Sequence, residues 1–330
     1  MTERQKNLRI FLPVYIIFIF IYLLACILEP SFFTWGNNTN LFTRIAPLVL
    51  VGIAQTFVVL TSGIDLSIGA VIGLANVVAV SLPYVDTPTN IILWLVVPPL
   101  VGLFVGFING IIITRGGFPP LIVTLATGTI FQGASLFILS QPGGDISSGV
   151  SKHVTGKLFN LIPTPLIIIL LSILIFQFVL RRTNFGRSIY AIGGNELVAL
   201  ESGIPIDRVK VGVYSLSGFI AGIAGMYLSG WMNSGDPLVG EPYILNSIAV
   251  TVIGGTSLMG GSGGIIGILG GAYIYHLINN ILNLMAISTF YQYVVKGLVL
   301  IIALAATSIA GGLNLQSYHQ KFTSKEGAES

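Results

Sequence analysis

Ten apolar runs, each close to the length of a membrane crossing, follow one another along this 330-residue chain. They cover about 10–28, 44–60, 66–82, 91–113, 119–139, 164–180, 211–231, 244–258, 264–285 and 290–310, and 244–258 is the shortest. A transmembrane helix needs roughly 20 apolar residues. The pattern therefore predicts an all-α polytopic membrane protein of about ten helices, with 1–330 as one membrane domain. Charge supports this: 8% of residues are charged, against about 25% in an ordinary soluble domain. So few charges cannot cover a soluble surface, which excludes a soluble enzyme or DNA-binding module. The net charge of +3 does not suggest nucleic acid, and a lone Cys26 excludes a disulfide framework or cysteine-ligated metal.

Arg4, Lys6 and Arg9 precede the first run, and Leu23-Leu24-Ala25-Cys26 resembles a lipoprotein cleavage box. The run stays apolar through Leu28, long enough to span, so an uncleaved first helix with its basic end in the cytoplasm is expected. Ten crossings then return the 311–330 tail to the cytoplasm. Segments expected inside hold Arg4, Lys6, Arg9, Arg115, Arg181, Arg182, Arg187, Arg208, Lys210, Lys321 and Lys325. Those expected outside hold only Arg44, Lys152 and Lys157. The positive-inside rule supports that orientation.

Weak self-similarity underlies the layout. Gly52-Ile53-Ala54 returns as Gly222-Ile223-Ala224, Ser62-Gly63 as Ser234-Gly235, and Phe107-Ile108-Asn109-Gly110 as Leu277-Ile278-Asn279-Asn280. Spans two to five would correspond to spans seven to ten. Span two runs inward and span seven outward, so the copies have opposite topology, a transporter pattern.

Few residues in this setting carry chemistry. Asp65, inside Thr61-Ser62-Gly63-Ile64-Asp65-Leu66-Ser67-Ile68-Gly69, is an acid at membrane depth and so a candidate for a translocation path. The local sequence more simply makes it a cap for the helix that follows. Asn109, Asn279, Asn280 and Asn283 either line a path or bond helix to helix. Lys296 either pairs with Asp65 or a backbone carbonyl, or snorkels to the interface. The glycine-rich stretch Gly254 to Gly264 lacks the Lys-Ser/Thr ending of a phosphate loop. Its glycines suit a turn, and the four-residue spacings Gly102, Gly106, Gly110 and Gly263, Gly267, Gly271 suit close helix packing. His153, His276 and His319 are scattered, so no metal site is expected, and no catalytic constellation is present.

Residues 181–210, expected to be a cytoplasmic loop, hold eight of the 27 charges: Arg181, Arg182, Arg187, Glu196, Glu201, Asp207, Arg208 and Lys210. Within it, Asn195 suits a helix N-cap, Glu196 the first turn, Gly203 the stop, and Pro205 lies just beyond. Leu197, Leu200 and Ile204 give that short helix an apolar stripe, suited to a groove on a soluble partner or to the membrane surface.

Arg187-Ser188-Ile189-Tyr190-Ala191-Ile192-Gly193-Gly194-Asn195 with Ser202-Gly203-Ile204-Pro205 resembles the coupling region of ABC-importer permeases of the ribose/arabinose/xylose type. Ser62 to Gly69, Gly254-Gly255-Thr256-Ser257-Leu258 with Gly260-Gly261, and Val295-Lys296-Gly297 are similar to other motifs of that family. The resemblance covers roughly 44–305, and departs from the family at Ile244, Asn246 and Glu201.

It implies a permease subunit in the bacterial cytoplasmic membrane, paired with a second copy or paralogue. Cytoplasmic ATPases would grip Gly194, Asn195, Glu196, Leu197, Ala199, Leu200, Ser202, Gly203 and Ile204. ATP and Mg would reside on those partners, with no cofactor in this chain, and a periplasmic or lipid-anchored binding protein would deliver a monosaccharide. The competing expectation is an ion-coupled carrier using Asp65 or Lys296.

Overall fold

The computed structural model describes residues 3–28, 30–83, 87–159, 161–284, 287–288, 290–292, 294–295, 297–298 and 301. Twelve helices are defined among them: α1 (Glu3–Leu28), α2 (Trp35–Leu60), α3 (Ile68–Ser81), α4 (Pro88–Gly116), α5 (Pro120–Ile138), α6 (Ser148–Thr155), α7 (Thr164–Arg182), α8 (Asn184–Gly194), α9 (Glu196–Glu201), α10 (Ile206–Met232), α11 (Glu241–Ile253) and α12 (Ile266–Leu284). A two-stranded hairpin, β1 (Lys157–Leu158) with β2 (Ile162–Pro163), precedes α7. By length and composition α2, α4, α5, α7 and α10 can each cross a membrane, and Phe11–Ile27 of α1, α3 and α11 are shorter apolar helices. The chain is an all-α, multi-pass membrane protein. Lys296 and the 311–330 tail lie outside the described residues, as does most of the 290–310 run.

Several boundaries correct the hydropathy reading. The second helix begins at Trp35, with the Thr34 hydroxyl accepting from the Asn37 N–H. Residues 181–210 are mostly helical rather than loop, and the opposite long connection folds into α6 and the hairpin. The runs 66–82 and 244–258 are not complete helical crossings. At 14 and 13 residues, α3 and α11 reach only about 20 Å at 1.5 Å per residue, against about 30 Å of hydrocarbon.

Extended arms supply the missing length. One arm, 61–67, follows α2, and the other, 233–240, follows α10. The second runs along α3 from one end to the other. Gly235 faces Val80, the Asp236 N–H donates to Asn76 Oδ1 at 2.7 Å, Gly73 faces the Pro237 carbonyl, and Gly69 meets Gly240. A Cβ on either Gly69 or Gly240 would strike the other's carbonyl oxygen, so the second arm ends against the first turn of α3.

The ends of α2 and α10 point opposite ways. Leu60 joins 193–194 and 259–261 at one end of the bundle, whereas Gly235 pairs with Gly143 at the other. This antiparallel relation is what the sequence echoes predict. It extends to packing: Gly52 of α2 faces Ile268 of α12, as Gly222 of α10 faces Pro98 of α4.

A long main-chain seam joins α4 to α10. Gly102 lies against Gly218, Gly106 against Tyr214 and Gly110 against Val211, in each case on backbone atoms. The four-residue glycine spacing thus permits main-chain approach, as small residues do in lipid. Gly267 and Gly271 similarly bring α12 onto Val250 of α11 and Gly254 just beyond it, whereas Gly263 is a turn residue with φ +121°.

Candidate functional site

Polar groups on an arm inside a membrane need partners from the protein, because lipid offers none. The sequence provides them at particular positions. The Leu66 N–H donates to Thr124 Oγ1 of α5 at 3.0 Å. In the other arm, the Pro237 carbonyl accepts from Gln132 Nε2 of the same helix at 2.7 Å. The Gly143–Gly235 pair exchanges both backbone bonds, at 2.9 and 2.8 Å.

Asp65 is the centre of the first arm. It is 1% exposed, and its Oδ1 accepts from the Ser67 N–H at 2.9 Å and the Ser67 hydroxyl at 2.6 Å. The Ser217 hydroxyl of α10 donates to Oδ2 at 2.9 Å. Ser217 is eleven residues into α10, about 16 Å from its start at 1.5 Å per residue. The Asn109 amide of α4 donates to Ser67 Oγ at 2.8 Å, and the Thr127 hydroxyl of α5 donates to Asn109 Oδ1 at 2.6 Å. One carboxylate therefore ties an arm and three helices together. The expected cap by Asp65 on a helix starting at Leu66 does not form: α3 starts at Ile68, its N-cap Ser67 makes no side-chain cap bond, and Asp65 closes a turn onto Ser67 instead.

Of the other polar residues singled out in the sequence, Asn109 is buried and bonds helix to arm and helix to helix. Asn279 donates to the Tyr275 carbonyl of its own helix at 2.8 Å, and Asn283 accepts from Gln292 at 2.8 Å. Asp65 and Asn109 share a network, and Asn279 lies elsewhere. Ser67, Thr127 and Ser217 were not among the sequence candidates, since a hydroxyl in an apolar helix gives little signal of its own.

The second constellation is α9, with the short helix built as its sequence suggests. Asn195 Oδ1 accepts from the N–H groups of Leu197 and Val198 at 3.0 and 3.2 Å. At the other end Gly203 takes φ +79°, while its N–H bonds Leu200 O and the Ile204 N–H bonds Ala199 O, a Schellman stop. Lys210 Nζ reaches Glu196 Oε1 at 2.7 Å, fastening α9 to α10. Leu197, Val198 and Leu200 remain 72%, 55% and 59% exposed. Ala199 is 2% exposed and turns inward, and Ile204 is half-buried.

The glycine-rich turn after α11 is closed by bonds within itself and to the end of α2. The Gly261 N–H bonds Leu60 O, the Gly260 N–H bonds Ser257 O, the Ser257 N–H bonds Ser262 O, and the Gly264 N–H bonds Thr256 Oγ1. These amides are engaged within the protein rather than aimed at a phosphate. Among the described residues no cluster of three or more His, Cys, Asp or Glu is placed to hold a metal ion.

A family model described as the permease component of the branched-chain amino acid transport system matches residues 37–304. A ribose import permease protein (RbsC) of Bacillus subtilis strain 168 is 41% identical over 283 residues, covering 85% of this chain and 87% of that one. The corresponding protein of Haemophilus influenzae is 34% identical over 304 residues, covering 90% and 93%. The D-allose transport system permease protein AlsC of Escherichia coli K12 is 36% identical over 284 residues, covering 84% and 85%. No solved structure matches the chain.

Proposed function

The chain belongs to the family of branched-chain amino acid transport system permease components, and from that premise we propose that it is the membrane subunit of an ATP-driven monosaccharide importer. The family description names amino acids, but the relatives similar over most of their length are named for ribose and allose. That favours a sugar as cargo. The ion-coupled reading gains no support from these relatives.

The observation that carries the ATP-driven reading is the exposed apolar face of α9. A six-residue helix, capped at both ends and tied to α10, holds Leu197, Val198 and Leu200 away from the bundle. Apolar side chains on a rigid helix suit a groove on a soluble protein. In this proposal the partner is a cytoplasmic ATPase, which carries ATP and Mg, and the chain itself is not an enzyme. Leu197, Val198 and Leu200 make the contact. Gly194, Asn195, Glu196, Ser202, Gly203 and Ile204 shape the helix and its flanks, and Ala199 seats it.

The chain sits in the bacterial cytoplasmic membrane with both termini in the cytoplasm. It pairs with a second permease, identical or paralogous, and receives sugar from a periplasmic or lipid-anchored binding protein. Asp65 and Asn109 shape the path by holding the first arm to α4, α5 and α10. Asn279 is assigned to the path from its place in the sequence repeat.

Co-expression with the ATPase tests the proposal directly. Leu197→Asp, Leu200→Asp, Glu196→Arg or Gly203→Trp is expected to abolish co-purification of the ATPase. Retention in all four removes the coupling role, and sugar uptake by the chain alone in liposomes removes the ATP-driven reading.

A further inference from the structure

The end of α8, just before the coupling helix, rests on a seam between the two halves of the molecule. The seam is one backbone hydrogen bond, from the Gly261 N–H after α11 to the Leu60 carbonyl at the end of α2, at 3.0 Å. Gly193 lies directly over it. A Cβ there would stand 2.9 Å from the Leu60 carbonyl carbon and 2.5 Å from the Gly261 nitrogen. Both neighbours are backbone, so neither can rotate out of the way.

The same seam is reinforced on each side. The Ser62 hydroxyl donates to the Met259 carbonyl at 2.8 Å, and Ser62 holds φ +61°, a left-handed conformation uncommon outside glycine. Tyr190 of α8 donates its hydroxyl to the Gly263 carbonyl at 2.8 Å. Gly260 and Gly261 have φ +84° and +65°, which lets the turn fold under α8. Leu60 and Ser62 open the arm that carries Asp65. A displacement of α8 therefore reaches the arm, and through Asp65 reaches Ser217, Asn109 and Thr127.

We infer that Gly193 is a positioning residue for transport: it lets α8 bear on the Leu60–Gly261 seam, so movement of α9 is delivered to both halves at once. The inference rests on α9 as the ATPase-docking helix and adds the route by which its motion enters the membrane. Coupling between two sites is a free energy, commonly 5–150-fold in affinity.

The test uses the assembled complex of permease, ATPase and binding protein in lipid nanodiscs. The readout is the ratio of ATP hydrolysis with sugar-loaded binding protein to hydrolysis without it. Gly193→Ala is expected to lower that ratio about tenfold, within the usual coupling range, and Ser62→Ala by a smaller factor of about three, below that range, while the ATPase still co-purifies. An unchanged ratio in both variants overturns the inference.

Hydrogen exchange on the wild-type complex provides a second reading that needs no variant. A non-hydrolysable ATP analogue with Mg should change exchange in segments 60–67 and 255–264 together. Unchanged exchange in both, with α9 protected by the ATPase, overturns the relay but keeps the docking helix. No protection of α9 on adding the ATPase would instead remove the docking proposal itself.

Discussion

The two arms begin alike and end in different surroundings. Asp65 and Asp236 each accept the N–H two residues ahead, at 2.9 and 2.8 Å, so the same short turn forms in both copies. Around Asp65 the turn is sealed, with Ser67 and Ser217 hydroxyls completing the carboxylate's bonds. Around Asp236 the side chain is half-exposed, and the arm is held through backbone atoms, by Asn76, Gln132 and Gly143. Repetition of sequence thus specifies the turn, whereas the helices packed against each copy decide whether its carboxylate joins a network.

The second arm and α3 should be equally intolerant where they cross, and the two arms unequal elsewhere. Gly69→Leu and Gly240→Leu should each cost about 3 kcal/mol or prevent accumulation, as overpacking against backbone does. Membrane yield and thermal midpoint in detergent measure this. Tolerance at one position alone would break the symmetry of the crossing. Asp65→Asn comes next, at about 2 kcal/mol, because neutral hydrogen bonds replace those to a carboxylate and the Ser217 hydroxyl has to turn from donor to acceptor. Asn76→Ala should cost about 1 kcal/mol, in the range of polar contacts between membrane helices. Asp236→Asn should stay within about 0.5 kcal/mol, since an amide oxygen can accept the same turn bond. Thermal midpoints for these three should fall in that order. An Asp236→Asn loss matching that of Asp65→Asn would remove the distinction between sealed and open copies.

Much of this architecture is legible in the sequence, and the omissions have physical causes. Long apolar runs announce α2, α4, α5, α7 and α10 because burial in lipid demands continuous hydrophobicity. Cap chemistry announces α9, since Asn195 and Gly203 satisfy the ends of a helix locally. The arms fall largely in the gaps between the runs 44–60 and 66–82 and between 211–231 and 244–258, but their contacts are hidden because the partners of Leu66 and Pro237, Thr124 and Gln132, lie far away in sequence. Helix α8 is likewise hidden: it is too short and mixed for a hydropathy signal, and Thr183 supplies its cap. The spacing of Gly102, Gly106 and Gly110 reveals a close seam. Gly218 and Gly222 carry the matching spacing and could have pointed to α10 as the partner.

That seam restricts where the molecule can move. Side chains between two helices can exchange rotamers and settle into a second arrangement, but main-chain atoms in contact have no such alternatives. Helices α4 and α10 therefore travel as one plate. A passage opening along the line of Gly102 and Gly218 would have to part main chain from main chain.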